Sequence, residues 1–168
     1  MSSLNRLRHS YKVQCICHFK GSFRWRVFSP LAAALCRRLI KQFETHRVVR
    51  KSSSQSLDID DLTIVFVGSA ESRRLNKTYR RRDYATDVLS FSPMASGEGL
   101  GELILCVPVL KRQAAQRRHS FKKELDMMLI HGFLHLLGFD HEKNRKEELK
   151  MMGLQDKLFK EITQKQRK

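Results

Sequence analysis

The eleven residues HGFLHLLGFDH, His131–His141, restrict this chain more than any other stretch. They continue a segment that begins at Phe121 and is apolar at positions 121, 125, 127–130, 133, 134, 136 and 137. The second half of that pattern is hydrophobic nearly all round, which places such a helix inside a core rather than on it. Yet His131 and His135 lie four residues apart, on one face and about one turn from each other. Two unpartnered imidazoles in so apolar a setting would cost on the order of several kcal/mol. A divalent cation partners both at once. Gly138 is a natural helix stop, after which the chain can reverse and return His141 toward the other two.

Three neutral imidazoles with one open coordination position describe a catalytic zinc site. A structural site is usually closed by a fourth protein ligand. No cysteine lies nearby in sequence, which leaves Cys106 as the open alternative. Asp140 is the natural carboxylate for orienting an imidazole, with capping of the turn or contact with the metal as alternatives. In HExxH proteases the residue after the first histidine is a glutamate that serves as general base. Here it is Gly132, so a peptide hydrolase would need a carboxylate from elsewhere, and Glu102 is the best placed.

The charge balance points to a partner. Lys and Arg number 33 against 17 Asp and Glu, a formal net charge of +16. Such a surplus favours a polyanion, nucleic acid before anionic membrane. No apolar run approaches the roughly 20 residues that span a bilayer. The first acidic residue is Glu44, and the basic, serine-containing start superficially resembles an organellar transit peptide. Against that, YKVQCICHF alternates like a strand and SPLAAALCRRLIKQF reads as a helix, so the region is read as mostly mature protein. Cys15, Cys17, Cys36 and Cys106 sit in apolar patterns without CxxC spacing, the mark of reduced, buried thiols in a cytoplasmic compartment.

Periodicity and punctuation give the elements. Strands are expected at Tyr11–Phe19, LTIVFVG, Thr86–Ser92 and ELILCVPV; helices from Ser29 to about Val49, over SAESRRLNKTYRR with Ser69 as N-cap, and from Leu110 to about Arg118. Ser120 should cap the histidine helix. A closing helix follows over NRKEELKMMGLQDKLFKEITQ, with Leu149, Met152 and Leu158 toward the core. Strands and helices mix without strict alternation. The expected fold is therefore α+β: a small mixed sheet of about four strands with helices on its faces and a central buried helix carrying the histidines. Residues 1–10 form a basic tail, 11–162 a single domain, and 163–168 a second basic tail.

LNKTYRRRDYATDVLSF, Leu75–Phe91, is polar where a helix meets a strand and holds Arg80, Arg81, Arg82, Asp83, Thr86 and Asp87. Arginine pairs bidentately with phosphate and stays charged. An arginine beside an activated water is what phosphodiester cleavage calls for. Together, HGFLHLLGFDH, LNKTYRRRDYATDVLSF and the following GLGEL closely resemble the YbeY family, whose patterns are HGxLHLxGxDH, LNxxYRxxDxxTDVLSF and a later LGD/E. The resemblance spans about Leu62 to Leu154. It implies a single-strand-specific, zinc-dependent endoribonuclease acting in ribosomal RNA maturation, including the 3′ end of 16S rRNA, and in ribosome quality control. His131, His135 and His141 match the family's metal ligands, one zinc ion per chain. Arg80 matches an arginine important for RNA processing, and His131 is implied to be catalytic as well as a ligand. Departures are Ala85 where proline is common, a serine inserted in LSFSP, and Glu102 where aspartate is usual.

The expected partners are single-stranded RNA, especially rRNA, and the small ribosomal subunit with an associated ribosomal protein or GTPase, with no membrane. The candidate RNA surface comprises Arg73, Arg74, Arg80–Arg82, Lys111, Arg112, Arg117 and Arg118, with few exposed aromatics for base stacking. Two rivals stand: a non-enzymatic ribosome-assembly factor with a structural zinc, and a metalloprotease of the HxxxHxxGxxH type.

Overall fold

The computed structural model describes residues 12–17, 28–45, 61–93, 99–139 and 144–164. Nine elements follow in order: β1 (Lys12–Cys17), α1 (Ser29–Thr45), β2 (Asp61–Val67), α2 (Ser69–Arg80), β3 (Val88–Phe91), β4 (Gly101–Cys106), α3 (Val107–Gln116), α4 (Phe121–Leu136) and α5 (Arg145–Gln164). The sheet order is β1-β2-β4-β3. Its first three strands run parallel, and β3 pairs antiparallel to β4 with Val88 opposite Leu105 and Phe91 opposite Glu102. This is an α+β fold with a mixed sheet, and β3 forms one edge.

Alternation along β4 sorts the two faces. Leu103 and Leu105 are fully buried in the large core, which also holds Leu39, Ile64, Phe66, Leu125, Leu129, Phe133 and Leu134. The opposite face carries a smaller cluster of Val65, Val67, Cys106 and Val109, with Ile104 and Ala85 packed against it. Cys106 is therefore on the far face from the histidine helix, which removes it as a fourth ligand. Cys36 and Cys106 are both buried free thiols; the side chains of Cys15 and Cys17 lie outside the described residues.

Helix α4 crosses the large core, packing on β3, β4, α1, α3 and α5. Its start is the expected one, with Ser120 Oγ accepting from the Lys123 amide at 3.2 Å. Its approach to the sheet depends on Gly132. A Cβ built there would stand 2.8 Å from Leu103 Cδ2 and 3.2 Å from both Val88 Cγ2 and Ser90 Oγ. The residue that departs from HExxH is thus the one that lets α4 lie flat on the strands. The helix ends as the glycine predicts. Gly138 has φ +83°, its amide donates to His135 O, and the Phe139 amide reaches back to Leu134 O, a left-handed closure with Phe139 packed on the core.

Several expectations change. The cap of α2 is Gly68, with no side-chain hydrogen bond, and Ser69 is the first helical residue. Strand β4 stops at Cys106 and α3 begins at Val107, because Pro108 fits the first turn of a helix that needs no amide donor there. On α5, Leu149 and Met152 are 63% and 56% exposed, whereas Met151, Leu158 and Ile162 are buried. Leu158 faces the core as expected, Met151 takes the place expected of Met152, and the helix ends at Gln164 as the expected segment does, two residues into the span assigned to the basic tail. Residues 1–10, Val49 and positions 165–168 lie outside the described residues. Among those described, no helix is long and apolar enough to cross a membrane.

Candidate functional site

The C-terminal end of α2, the edge strand β3 and helix α4 line one site. Between them is a cleft of about 610 Å³ lined by His131 and His135 from α4, Tyr79 and Arg80 from α2, Arg82, Thr86, Asp87 and residues 88–92. The two sides are positioned by different means.

On the α4 side, packing does the work. Ile130, Phe133 and Leu134 are fully buried, which fixes the rotation of the helix and turns positions 131 and 135 toward the cleft. The Nε2 atoms of His131 and His135 face each other at 3.2 Å, with ring planes 77° apart and centroids at 4.7 Å. Two nitrogens sharing a tetrahedral ion at bonds of about 2.0–2.1 Å stand about 3.3–3.4 Å apart. The donor pair therefore fits a zinc-like ion. On the far side of its ring, His131 Nδ1 lies 3.0 Å from Gln155 Oε1 of α5. His141 and Asp140 lie outside the described residues, within which no group of three His, Cys, Asp or Glu side chains converges.

On the α2 side, side-chain hydrogen bonds hold the backbone. Ser72 Oγ donates to Thr86 O at 2.8 Å and accepts from the Thr86 amide at 3.0 Å. One turn on, Asn76 Nδ2 donates to Tyr84 O at 2.8 Å. Both side chains are buried. Arg81 adopts a left-handed conformation, φ 57°, at the helix end, and this bend accompanies the placing of Arg80 and Arg82 along the cleft. Both carboxylate oxygens of Asp87 are hydrogen-bonded: Oδ1 accepts from Thr86 Oγ1 and the Val88 amide, and Oδ2 accepts from Gln113 Nε2. It ties β3 to α3.

The ion pairs redraw the expected RNA surface. Arg73 and Lys77 bind Asp83 at 2.8 and 3.2 Å. The Arg73 hydrogen bond, reinforced by Lys77, holds the Asp83 carboxyl down at about 2. Arg74 pairs with Glu71. Arg117 donates to the fully buried Glu124, which also faces His119 Nε2 at 2.9 Å. Much of the charge on Arg73, Arg74 and Arg117 is thus answered within the chain, while Arg80 and Arg82 line the cleft. Glu102 is exposed and projects from the sheet face opposite Leu103, hence opposite α4; it does not line the cleft and cannot act there as a base. Tyr79 corrects the expectation about aromatics. It is 63% exposed, lines the cleft, and rests on Phe91 at 4.9 Å.

Of the residues named from the sequence, His131, His135, Arg80, Thr86 and Asp87 line the cleft, and His141 lies outside the described residues. Sequence reasoning missed Ser72, Asn76, Gln113 and Gln155. The first two share one helix face by their spacing of four, and once buried each needs a hydrogen-bond partner, but nothing local names the 84–86 backbone as that partner.

The family model described as Endoribonuclease YbeY matches residues 30–163. The chain belongs to the YbeY family. Endoribonuclease YbeY of Bdellovibrio bacteriovorus is 47% identical over 105 residues, covering 62% of this chain and 69% of that protein. Endoribonuclease YbeY of Bacillus cereus is 38% identical over 128 residues, covering 67% and 81%. The solution structure of TM1509 from Thermotoga maritima is similar with a TM-score of 0.58 and 28% identity, covering 93% of this chain and 92% of that one.

Proposed function

We propose that this YbeY-family protein is a zinc-dependent, single-strand-specific endoribonuclease of ribosomal RNA maturation, with a part in ribosome quality control. The observation that carries the reading is the meeting of His131, His135 and Arg80 in one cleft. His131 and His135 would hold the ion, with His141 as the third ligand. When bound, the ion would supply Lewis acidity at the scissile phosphate and its attacking water. Arg80 would grip the phosphoryl oxygens, and its permanent charge would be worth most where negative charge builds up. Arg82 extends the cationic wall along the strand, and Tyr79 offers a ring face to an unpaired base.

Among the described residues neither candidate carboxylate is offered to the cleft as a protein base: Asp87 is hydrogen-bonded to the Val88 amide and Gln113, and Glu102 faces away. That disfavours the protease, which needs one. The excess of positive charge supports a polyanionic substrate, the ribosomal small subunit and its proteins or GTPase are its natural setting, and the buried free thiols of Cys36 and Cys106 accord with the cytoplasm.

The test is cleavage of a single-stranded RNA by the purified full chain, beside Arg80→Ala with zinc measured in both. Cleavage should fall by about 100–1,000-fold in the variant with zinc unchanged. Equal cleavage by the two proteins would remove Arg80 from the mechanism. Zinc-dependent folding with no cleavage by the wild type would favour the assembly factor.

A further inference from the structure

Helix α5 buries Met151, Leu158 and Ile162, a stripe spaced by seven and four residues. Gln155 falls on that stripe between Met151 and Leu158, half-buried, a polar side chain where the pattern asks for an apolar one. Its Oε1 stands 3.0 Å from His131 Nδ1. A carbonyl oxygen only accepts, so Nδ1 carries the proton. A neutral imidazole protonated at Nδ1 keeps its lone pair at Nε2, the atom that faces His135 across 3.2 Å.

We propose that Gln155 is the positioning residue of the metal centre: accepting from Nδ1–H, it fixes the tautomer and ring plane of His131 and leaves Nε2 as the donor atom. The inference rests on the reading of His131 and His135 as metal ligands. Its physical content is that α5, which contributes no ligand to the described site, tunes the affinity of a site on α4. Hydrogen-bond partners on the outer side of ligating histidines orient the ring and increase its basicity. An amide does this weakly, and a carboxylate does it more strongly because the bond becomes charge-assisted. A residue that merely fills the α4–α5 interface behaves otherwise: there an added charge can only harm.

The experiment is a competition for zinc between the loaded full-length protein and a chromophoric chelator. It compares the wild type, Gln155→Leu, Gln155→Glu and His131→Ala. Gln155→Leu should yield its zinc with an apparent affinity about 10–100-fold lower, and Gln155→Glu should hold zinc at least as tightly as the wild type. Wild-type affinity in Gln155→Leu would overturn the proposal, as would a loss in Gln155→Glu matching that in Gln155→Leu. Should the leucine variant fail to fold, the glutamate variant decides alone: zinc held at or above the wild-type affinity carries the proposal, and a lower affinity, which interface filling predicts, overturns it. If the wild type holds no more zinc than His131→Ala, the metal reading falls and takes the proposal with it. If the wild type binds zinc through His131 and only the Gln155 variants are indifferent, the metal reading stands and the proposal fails.

Discussion

Helices α4 and α2 face each other across one cleft and are anchored in opposite ways. The histidine helix is held mainly by area: Leu125, Leu129, Ile130, Phe133 and Leu134 have no exposed surface, and polar contacts at Glu124, His131 and Gly132 add to that burial. The arginine helix buries only Ser72 and Asn76, through which it grips the 84–86 backbone. A site that must hold two imidazoles about 3 Å apart benefits from close packing, which tolerates little displacement. On the proposed function, cations that meet a long, variable polyanion need solvent and reach, and hydrogen bonds at the base of their helix would be enough to orient them. Damage on the α4 side should therefore appear as lost stability, and damage on the α2 side as lost rate.

The largest effect tests the packed side. Leu129→Ala should cost about 2–5 kcal/mol, lowering Tm by roughly 4–20 °C in a chain of this size. Cleavage per folded molecule should change less than the folded fraction does. Asn76→Ala removes the donor to Tyr84 O and should cost about 1–3 kcal/mol in a urea titration. Its cleavage rate should fall further than that loss accounts for, by as much as about 100-fold, since small misplacements of positioning groups are expensive. Equal losses in both measurements would erase the distinction between the two helices. Ser120→Ala deletes the α4 cap and should cost about 1 kcal/mol, with zinc content unchanged.

The smallest effect is one of pH. The Asp83 carboxyl is depressed to about 2 by Arg73 and Lys77, so its contribution is present above the ordinary carboxylate value near 4 and is lost as pH falls toward 2. Asp83→Asn should remove that acid-side dependence, and because the pair is exposed, unfolding midpoints at neutral pH should barely move.

What could be read from the sequence was whatever a local rule dictates. Ser120 caps, Gly138 turns left-handed, and residues 131 and 135 share a face because helical geometry demands it. The reading failed where two local choices were nearly equal. Met151 and Met152 are equally apolar neighbours, and only contact with α1 and α4 decides which one turns inward. Val107 extends a strand pattern as readily as it opens a helix, until Pro108 is placed in a first turn. Gln155 was hidden for a different reason: its partner is 24 residues away on another helix, and no spacing rule connects them. The arginines were overcounted because composition records charge but not the carboxylates that Asp83, Glu71 and Glu124 turn toward it.

The edge position of β3 has a consequence of its own. A four-residue strand with no neighbouring strand on its outer side among the described residues is a template for a second copy of the chain to zip onto. On the proposed function this rim admits the substrate, and its brevity and the like charge of Arg80 and Arg82 beside it would oppose such pairing. The cations proposed to draw RNA in would then also keep one molecule from sticking to the next.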